Sequence, residues 1–168
     1  GVAKRYTLIQ KIRKENPNVL LLDAGDMFQG TPYFNFYGGE LEFKLMSKMG
    51  YDAATLGNHD FDNGLDGLLA QIPNAKFSFI NSNYDFSNTI LDGGYIKPCE
   101  IFIKDGVKIG VFGVGIELEG LVNKKMYRET KYNDPVMVAQ DLSHQLKNEE
   151  QCDLVICLSH LGYRYKSG

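Results

Sequence analysis

Three short polar segments carry side chains able to do chemistry, and each closes an apolar run. They are Gly25-Asp26, Gly57-Asn58-His59-Asp60 and Ser159-His160. A carboxylate, an amide oxygen and an imidazole form a mixed oxygen and nitrogen ligand set. Such a set suits borderline or hard divalent cations such as zinc, manganese, iron or magnesium, with no thiolate involved. His59 adjoins Asn58 and so reaches the same cavity. Asp62, three residues later, can accept a hydrogen bond from the other ring nitrogen, which is the form of an oriented acid or base. Singly, each residue has a plainer reading: Gly25-Asp26 as a turn or helix N-cap, Asn58 as a turn former, His160 as a hydrogen-bonded core histidine. Packing does not require three such residues at equivalent places, so the combination points to a metal site at Asp26, Asn58 and His160. His59 and Asp62 are then the candidate catalytic pair.

The elements that must position them can be read from periodicity. Val2, Tyr6, Ile9 and Ile12 fall at helical spacing before Asn16-Pro17 breaks the pattern. Val19 to Leu22 is a continuous apolar run, the pattern of a strand covered on both faces, and it leads into Asp26. Leu41, Leu45, Met46 and Met49 predict a helix capped by Gly50. Asp52 to Leu56 predicts a strand that leads into Asn58. A short helix over 65–71 and a strand over 77–80 follow. Ile101, Ile103, Val107, Ile109 and Val111 flank Asp105-Gly106, a strong hairpin signature. Pro135 starts a helix through Val138, Ala139, Leu142 and Leu146, and a last strand over 153–158 leads into His160. Strands alternating with helices, plus one antiparallel hairpin, give an α/β architecture with mixed sheets. Asp26, Asn58 and His160 each then lie just past the carboxyl end of a strand, where open α/β sheets collect ligands.

Composition narrows the function classes. At 168 residues, with 43% hydrophobic and 23% charged residues, the chain is long enough for one α/β domain with a buried core. A net charge of -3 argues against a partner that is a nucleic-acid polymer, which needs a clustered basic surface. The basic run Lys11, Arg13, Lys14 reads as a solvated helix face. No apolar run approaches the roughly 20 residues of a membrane span, and the first residues lack a signal peptide's basic and apolar regions. Cys99, Cys152 and Cys157 form no C-x-x-C pair and read as plain buried thiols, and His144 reads as a solvated surface residue.

The segments 22–32 (Leu-Asp-Ala-Gly-Asp-Met-Phe-Gln-Gly-Thr-Pro), 49–53 (Met-Gly-Tyr-Asp-Ala), 55–64 (Thr-Leu-Gly-Asn-His-Asp-Phe-Asp-Asn-Gly) and Ser159-His160 together resemble the 5′-nucleotidase branch of the calcineurin-like metallophosphoesterases. The resemblance runs in order over nearly the whole chain. Gly-Asn-His followed by Asp or Glu marks the superfamily, while Phe28 to Pro32 and Phe61 to Gly64 point to the branch. That branch more often has Glu where this chain has Asp60.

The resemblance implies a calcineurin-like α/β fold, with mixed β-sheets sandwiched between helices in four layers, expected here to be incomplete at both ends. Residues 1–168 would form one partial metallophosphatase domain, without the second domain that grips the nucleoside. Asp26 would bridge two divalent ions, Asn58 and His160 would bind one of them, and His59, partnered by Asp62, would contact the phosphate and stabilise transition-state charge. The family's Asp-x-His and Gly-His-x-His motifs do not occur in the sequence. At most one ion is therefore expected for this stretch, and no appreciable turnover. The complete protein would hold two, with zinc, manganese, iron, magnesium and calcium not distinguished. The implied reaction is hydrolysis of a phosphate monoester, nucleoside monophosphate to nucleoside plus phosphate, by in-line attack of hydroxide generated at the metals. A cyclic-nucleotide phosphodiesterase or UDP-sugar hydrolase of the same superfamily is an alternative, and so is a non-catalytic remnant that binds a partner. Family habit favours a periplasmic, secreted or cell-surface location, and the residues leave the oligomeric state open.

Overall fold

The structure, a computed structural model, describes residues 1–30 and 32–162; Thr31, within the motif at 28–32, lies outside the described residues. Chain order is α1 (Val2–Glu15), β1 (Leu22–Asp23), α2 (Pro32–Tyr37), α3 (Glu40–Met49), β2 (Ala53–Ala54), α4 (Gly64–Gln71), β3 (Ser78–Ile80), β4 (Tyr84–Asp85), β5 (Ile96–Lys97), β6 (Cys99–Lys104), β7 (Val107–Gly115), α5 (Lys124–Tyr127), β8 (Lys131–Tyr132), α6 (Pro135–His144) and β9 (Leu154–His160). A first sheet runs β1-β2-β3-β5 with all neighbours parallel. A second runs β6-β7-β9, antiparallel then parallel, and β4 pairs with β8 separately.

Side-chain alternation makes these sheets into layers. On β7, Ile109 and Val111 pack with Ala53, Ile80 and Leu158 between the two sheets. Phe112 and Val114, on the opposite face, join Leu146 and Cys152, with Ala139 and Leu142 of α6 packed against them. The outer face of the first sheet buries Ala54, Leu56 and Phe79 against Phe43, Met46 and Met49 of α3 and Leu65 and Leu68 of α4. The result is helix, sheet, sheet, helix, the four-layer arrangement that the family resemblance implies for this α/β chain. Each buried side chain of Leu or Phe size contributes about 1.5–3 kcal/mol on removal from water.

The hairpin forms as its turn chemistry dictates: Asp105 (φ 50°) and Gly106 (φ 80°) both take left-handed conformations, as a two-residue turn of matching twist requires. Gly50 ends α3 at φ 82°. Other elements depart from the periodicity reading. The strand predicted over 19–22 lies instead at Leu22–Asp23, and that over 52–56 shrinks to Ala53–Ala54; at the start of the first the Asp52 carboxylate accepts the Leu21 N–H at 2.8 Å. On α1 only Ile9 is buried, and Val2, Tyr6 and Ile12 are exposed. That helix is held instead by Arg13, whose guanidinium donates to Gly50 O and, at 3.2 Å, to the Asp52 carboxylate. The cysteine expectation is corrected at two positions. All three are free, but Cys152 alone is buried, Cys99 is half-buried and Cys157 is exposed, because β9 turns position 157 away from the core that Leu158 joins. His144 ends α6 and is exposed. Among the described residues no helix is long and apolar enough to cross a membrane.

Candidate metal-binding active site

Asp26 stands three residues beyond β1, in a left-handed backbone conformation (φ 60°) directly after Gly25 (φ 95°). Left-handed backbone is unusual for a residue other than glycine and needs outside support. Asp60 supplies it. Its fully buried carboxylate accepts four backbone N–H groups, from Asp26 (2.9 Å), Met27 (2.9 Å), Phe28 (3.2 Å) and Gly57 (2.8 Å). One side chain thus ties the loop carrying Asp26 to the loop carrying Asn58 and His59. Burial pushes the Asp60 pKa up to about 7, with the N–H donors pulling against that rise.

His160 reaches Asp26 from the other sheet. It is the final ladder residue of β9, paired with Gly115, rather than a residue beyond the strand as expected; the parallel ladder with β7 runs two residues past the apolar stretch. Its Nδ1 lies 2.7 Å from Ala24 O. A carbonyl only accepts, so Nδ1 carries the hydrogen, and in the neutral ring Nε2 presents a lone pair. That Nε2 sits 3.1 Å from Asp26 Oδ2. A lone pair and a carboxylate oxygen at this distance repel unless a cation, a proton or a metal, lies with them. Two glycines permit the approach. A Cβ on Gly57 would overlap Asp26 Oδ1 and lie 2.7 Å from His160 Cε1, and one on Gly25 would lie 2.6 Å from Gly57 N and 3.0 Å from His160 Nδ1. The donors therefore fit a divalent cation in chemistry and in the space the glycines leave.

Asn58 opens a single 3-10 turn (His59–Phe61) four residues beyond β2. It is half-buried, its side chain caps nothing, and its amide makes no hydrogen bond to a described residue. The next peptide N–H, from His59, donates to Asp26 Oδ1 at 2.9 Å, which fixes this turn against the carboxylate. The His59 ring is held by its Nδ1, 3.0 Å from Asp62 Oδ2, with 42% of the side chain exposed. The Asp62 hydrogen bond raises the His59 pKa, against a lowering by desolvation. The structure thus brings Asp26, His160 and the turn of Asn58 and His59 to one edge of both sheets. Among the described residues no group of three His, Cys, Asp or Glu side chains is placed to hold a metal. Sequence reasoning missed Asp60 as a structural centre. The sequence offered no spacing signal for it, since three of its four donors lie 32 to 34 residues away.

A carboxylate and an imidazole thus converge from two sheets of a four-layer α/β sandwich, with an oriented histidine beside them, at the sheet edge where α/β folds collect ligands. The chain belongs to the calcineurin-like phosphoesterase family, whose model matches residues 2–168. Its similarity to 5′-nucleotidases is extensive: it is 38% identical to the 5′-nucleotidase of Vibrio parahaemolyticus over 100% of this chain and 30% of that protein. It is 40% identical to the snake venom 5′-nucleotidase of Naja atra, over 97% and 31% respectively. Among solved structures, the 5′-nucleotidase precursor from Thermus thermophilus superposes with a TM-score of 0.90 at 33% identity, over 97% of this chain and 32% of the other. The NAD nucleotidase of Haemophilus influenzae gives 0.83 at 33% identity, over 96% and 28%. The chain spans about a third of the length of these relatives.

Proposed function

We propose that residues 1–168 form one metallophosphatase unit of a phosphate-monoester hydrolase acting on 5′-nucleotides, with Asp26, Asn58 and His160 as metal ligands and His59, oriented by Asp62, as the catalytic histidine. The observation that carries this reading is the 3.1 Å approach of His160 Nε2 to Asp26 Oδ2 with Nδ1 already committed to Ala24 O. Divalent metal bound there supplies Lewis-acid charge for a phosphoryl oxygen and acidifies water. The chain's own residues do the rest. Asp60 and the two glycines hold Asp26 and His160 in register, and Asp62, accepting the Nδ1 hydrogen of His59, favours the charged ring, in which Nε2 carries a hydrogen as well. His59 Nε2 then hydrogen-bonds the phosphate and stabilises, or protonates, the leaving oxygen.

The names of the relatives support a nucleotide as substrate. In this reading the groups that grip the nucleoside, and the ligands of a second metal, come from outside residues 1–168, and the protein is exported, in keeping with the precursor among its structural neighbours. The test is metal titration and AMP hydrolysis with manganese in the whole protein and in residues 1–168. Asn58→Ala should weaken metal binding at least tenfold. His59→Ala should keep the metal and lose roughly 10²–10⁴-fold in turnover. Residues 1–168 alone should bind at most one ion, without appreciable turnover. Full hydrolysis by His59→Ala, or equal metal loss in Asn58→Ala and Asp62→Asn, contradicts the roles.

A further inference from the structure

The proposed ligands come from two different sheets, so their separation depends on what fixes one sheet against the other at the site end. Asp26 and Asn58 follow β1 and β2 of the first sheet, whereas His160 ends β9 of the second. The segment Asn81–Tyr84 crosses between them. Ser82 N donates to Gly113 O at 2.8 Å, which starts the crossing. Asn83 completes it. Its fully buried amide accepts the Gly115 N–H at 2.8 Å through Oδ1 and donates through Nδ2 to Gly115 O at 2.9 Å, with a second donation to Asn133 O at 3.3 Å.

A side-chain amide offering one acceptor and one donor to a single residue does the work of a neighbouring strand's peptide. The residue it grips is the ladder partner of His160. Gly115 has no slack there, since a Cβ would overlap the Tyr84 hydroxyl. The near end of the segment is tied to the first sheet, with Asn81 Nδ2 3.4 Å from Thr55 Oγ1 and Thr55 N donating to Asp23 O at 3.1 Å. Hydrogen bonds from Asp23 through Thr55 to Asn81, then the two peptide links to Asn83 and its bonds to Gly115, thus connect the first sheet to the strand end that bears His160.

We infer that Asn83 is a positioning residue: by gripping both backbone groups of Gly115 it sets the distance between the His160 imidazole and the Asp26 carboxylate. The inference rests on the reading of that pair as metal ligands, and two readouts separate the two. In metal-free whole protein, the NMR cross-relaxation between the His160 Hε1 and Gly57 Hα protons reports the geometry; calorimetric titration with manganese reports binding. The variants are Asn83→Ser and the isosteric Asn83→Asp, with Leu146→Val, a buried change on the α6 side of the second sheet, as a control for lost stability.

Both Asn83 variants should weaken the cross-relaxation at least twofold and metal affinity at least tenfold, and Leu146→Val should change neither. A folded Asn83 variant that keeps both, or a control that loses as much, overturns the inference. Should neither variant fold, the unmutated protein decides: the Gly115 amide should exchange at least tenfold more slowly than that of Gly106 in the hairpin turn, and equal rates overturn it. Cross-relaxation that responds to Asn83 in a protein binding no metal supports the positioning role and refutes the metal reading instead.

Discussion

Replacing Asp60 by Asn tests the idea that one buried carboxylate assembles the site. The substitution keeps the shape and exchanges one oxygen for an NH2 group. Each oxygen now receives two backbone donors: Met27 and Phe28 on Oδ1, Asp26 and Gly57 on Oδ2. Whichever way the amide lies, two N–H groups lose their acceptor and face another donor. An orphaned buried polar group costs about 1–3 kcal/mol, so the loss is about 2–6 kcal/mol. Removing a charge from a fully buried place offsets part of this, leaving about 1–4 kcal/mol. For a chain of this size that corresponds to a fall in Tm of roughly 2–16 °C. The assay is thermal unfolding by circular dichroism, paired with manganese titration, since either orientation strips acceptors from the segment 26–28 that holds Asp26 in its left-handed conformation. A variant that melts within about 1 °C of the parent and binds metal equally well would refute the reasoning.

Gly57→Ala places a methyl group into Asp26 Oδ1 and 2.7 Å from His160 Cε1; overpacking of this kind costs about 1–3 kcal/mol, and metal binding should fall by far more than a stability change of that size implies, as calorimetry would show. Asp62→Asn should lower the His59 pKa towards its ordinary value of 6.5, because the Asp62 hydrogen bond is the largest cause of the rise. The sign follows: with the folded pKa raised, the pair stabilises the fold below the unfolded value and ceases to do so as pH rises through the folded one. NMR titration of His59 checks this, and an unchanged midpoint in the variant would contradict it.

Apolar patterning was a good guide to the second sheet, where β6, β7 and β9 are long and largely apolar, and to the α3 and α4 faces that bury Phe43, Met46, Leu65 and Leu68. It read less of the first sheet, whose ladders are two or three residues long and rely on Asp52. It missed α2, an aromatic-rich helical turn starting at Pro32, and the β4–β8 pair, because partners 46 and 48 residues apart leave no local pattern. For the site, residue types at strand ends marked Asp26, Asn58 and His160 as neighbours in space. The part carried by Asp60 and Asn83 was invisible, since a polar side chain serving backbone groups far along the chain has no spacing rule.

The short ladders of the first sheet also shape how this half of the molecule tolerates change. Where a sheet is joined mainly through peptide groups, most side chains can be exchanged without cutting a bond, as at Ile103, which is 62% exposed on β6. Around β1 and β2 the joining is delegated to carboxylates and amides, so a point substitution at Asp52 or Asp60 severs connections that elsewhere only a backbone break would sever. A scan of single replacements should therefore find its most damaging polar positions clustered on that side, in residues that a hydropathy profile would assign to the surface.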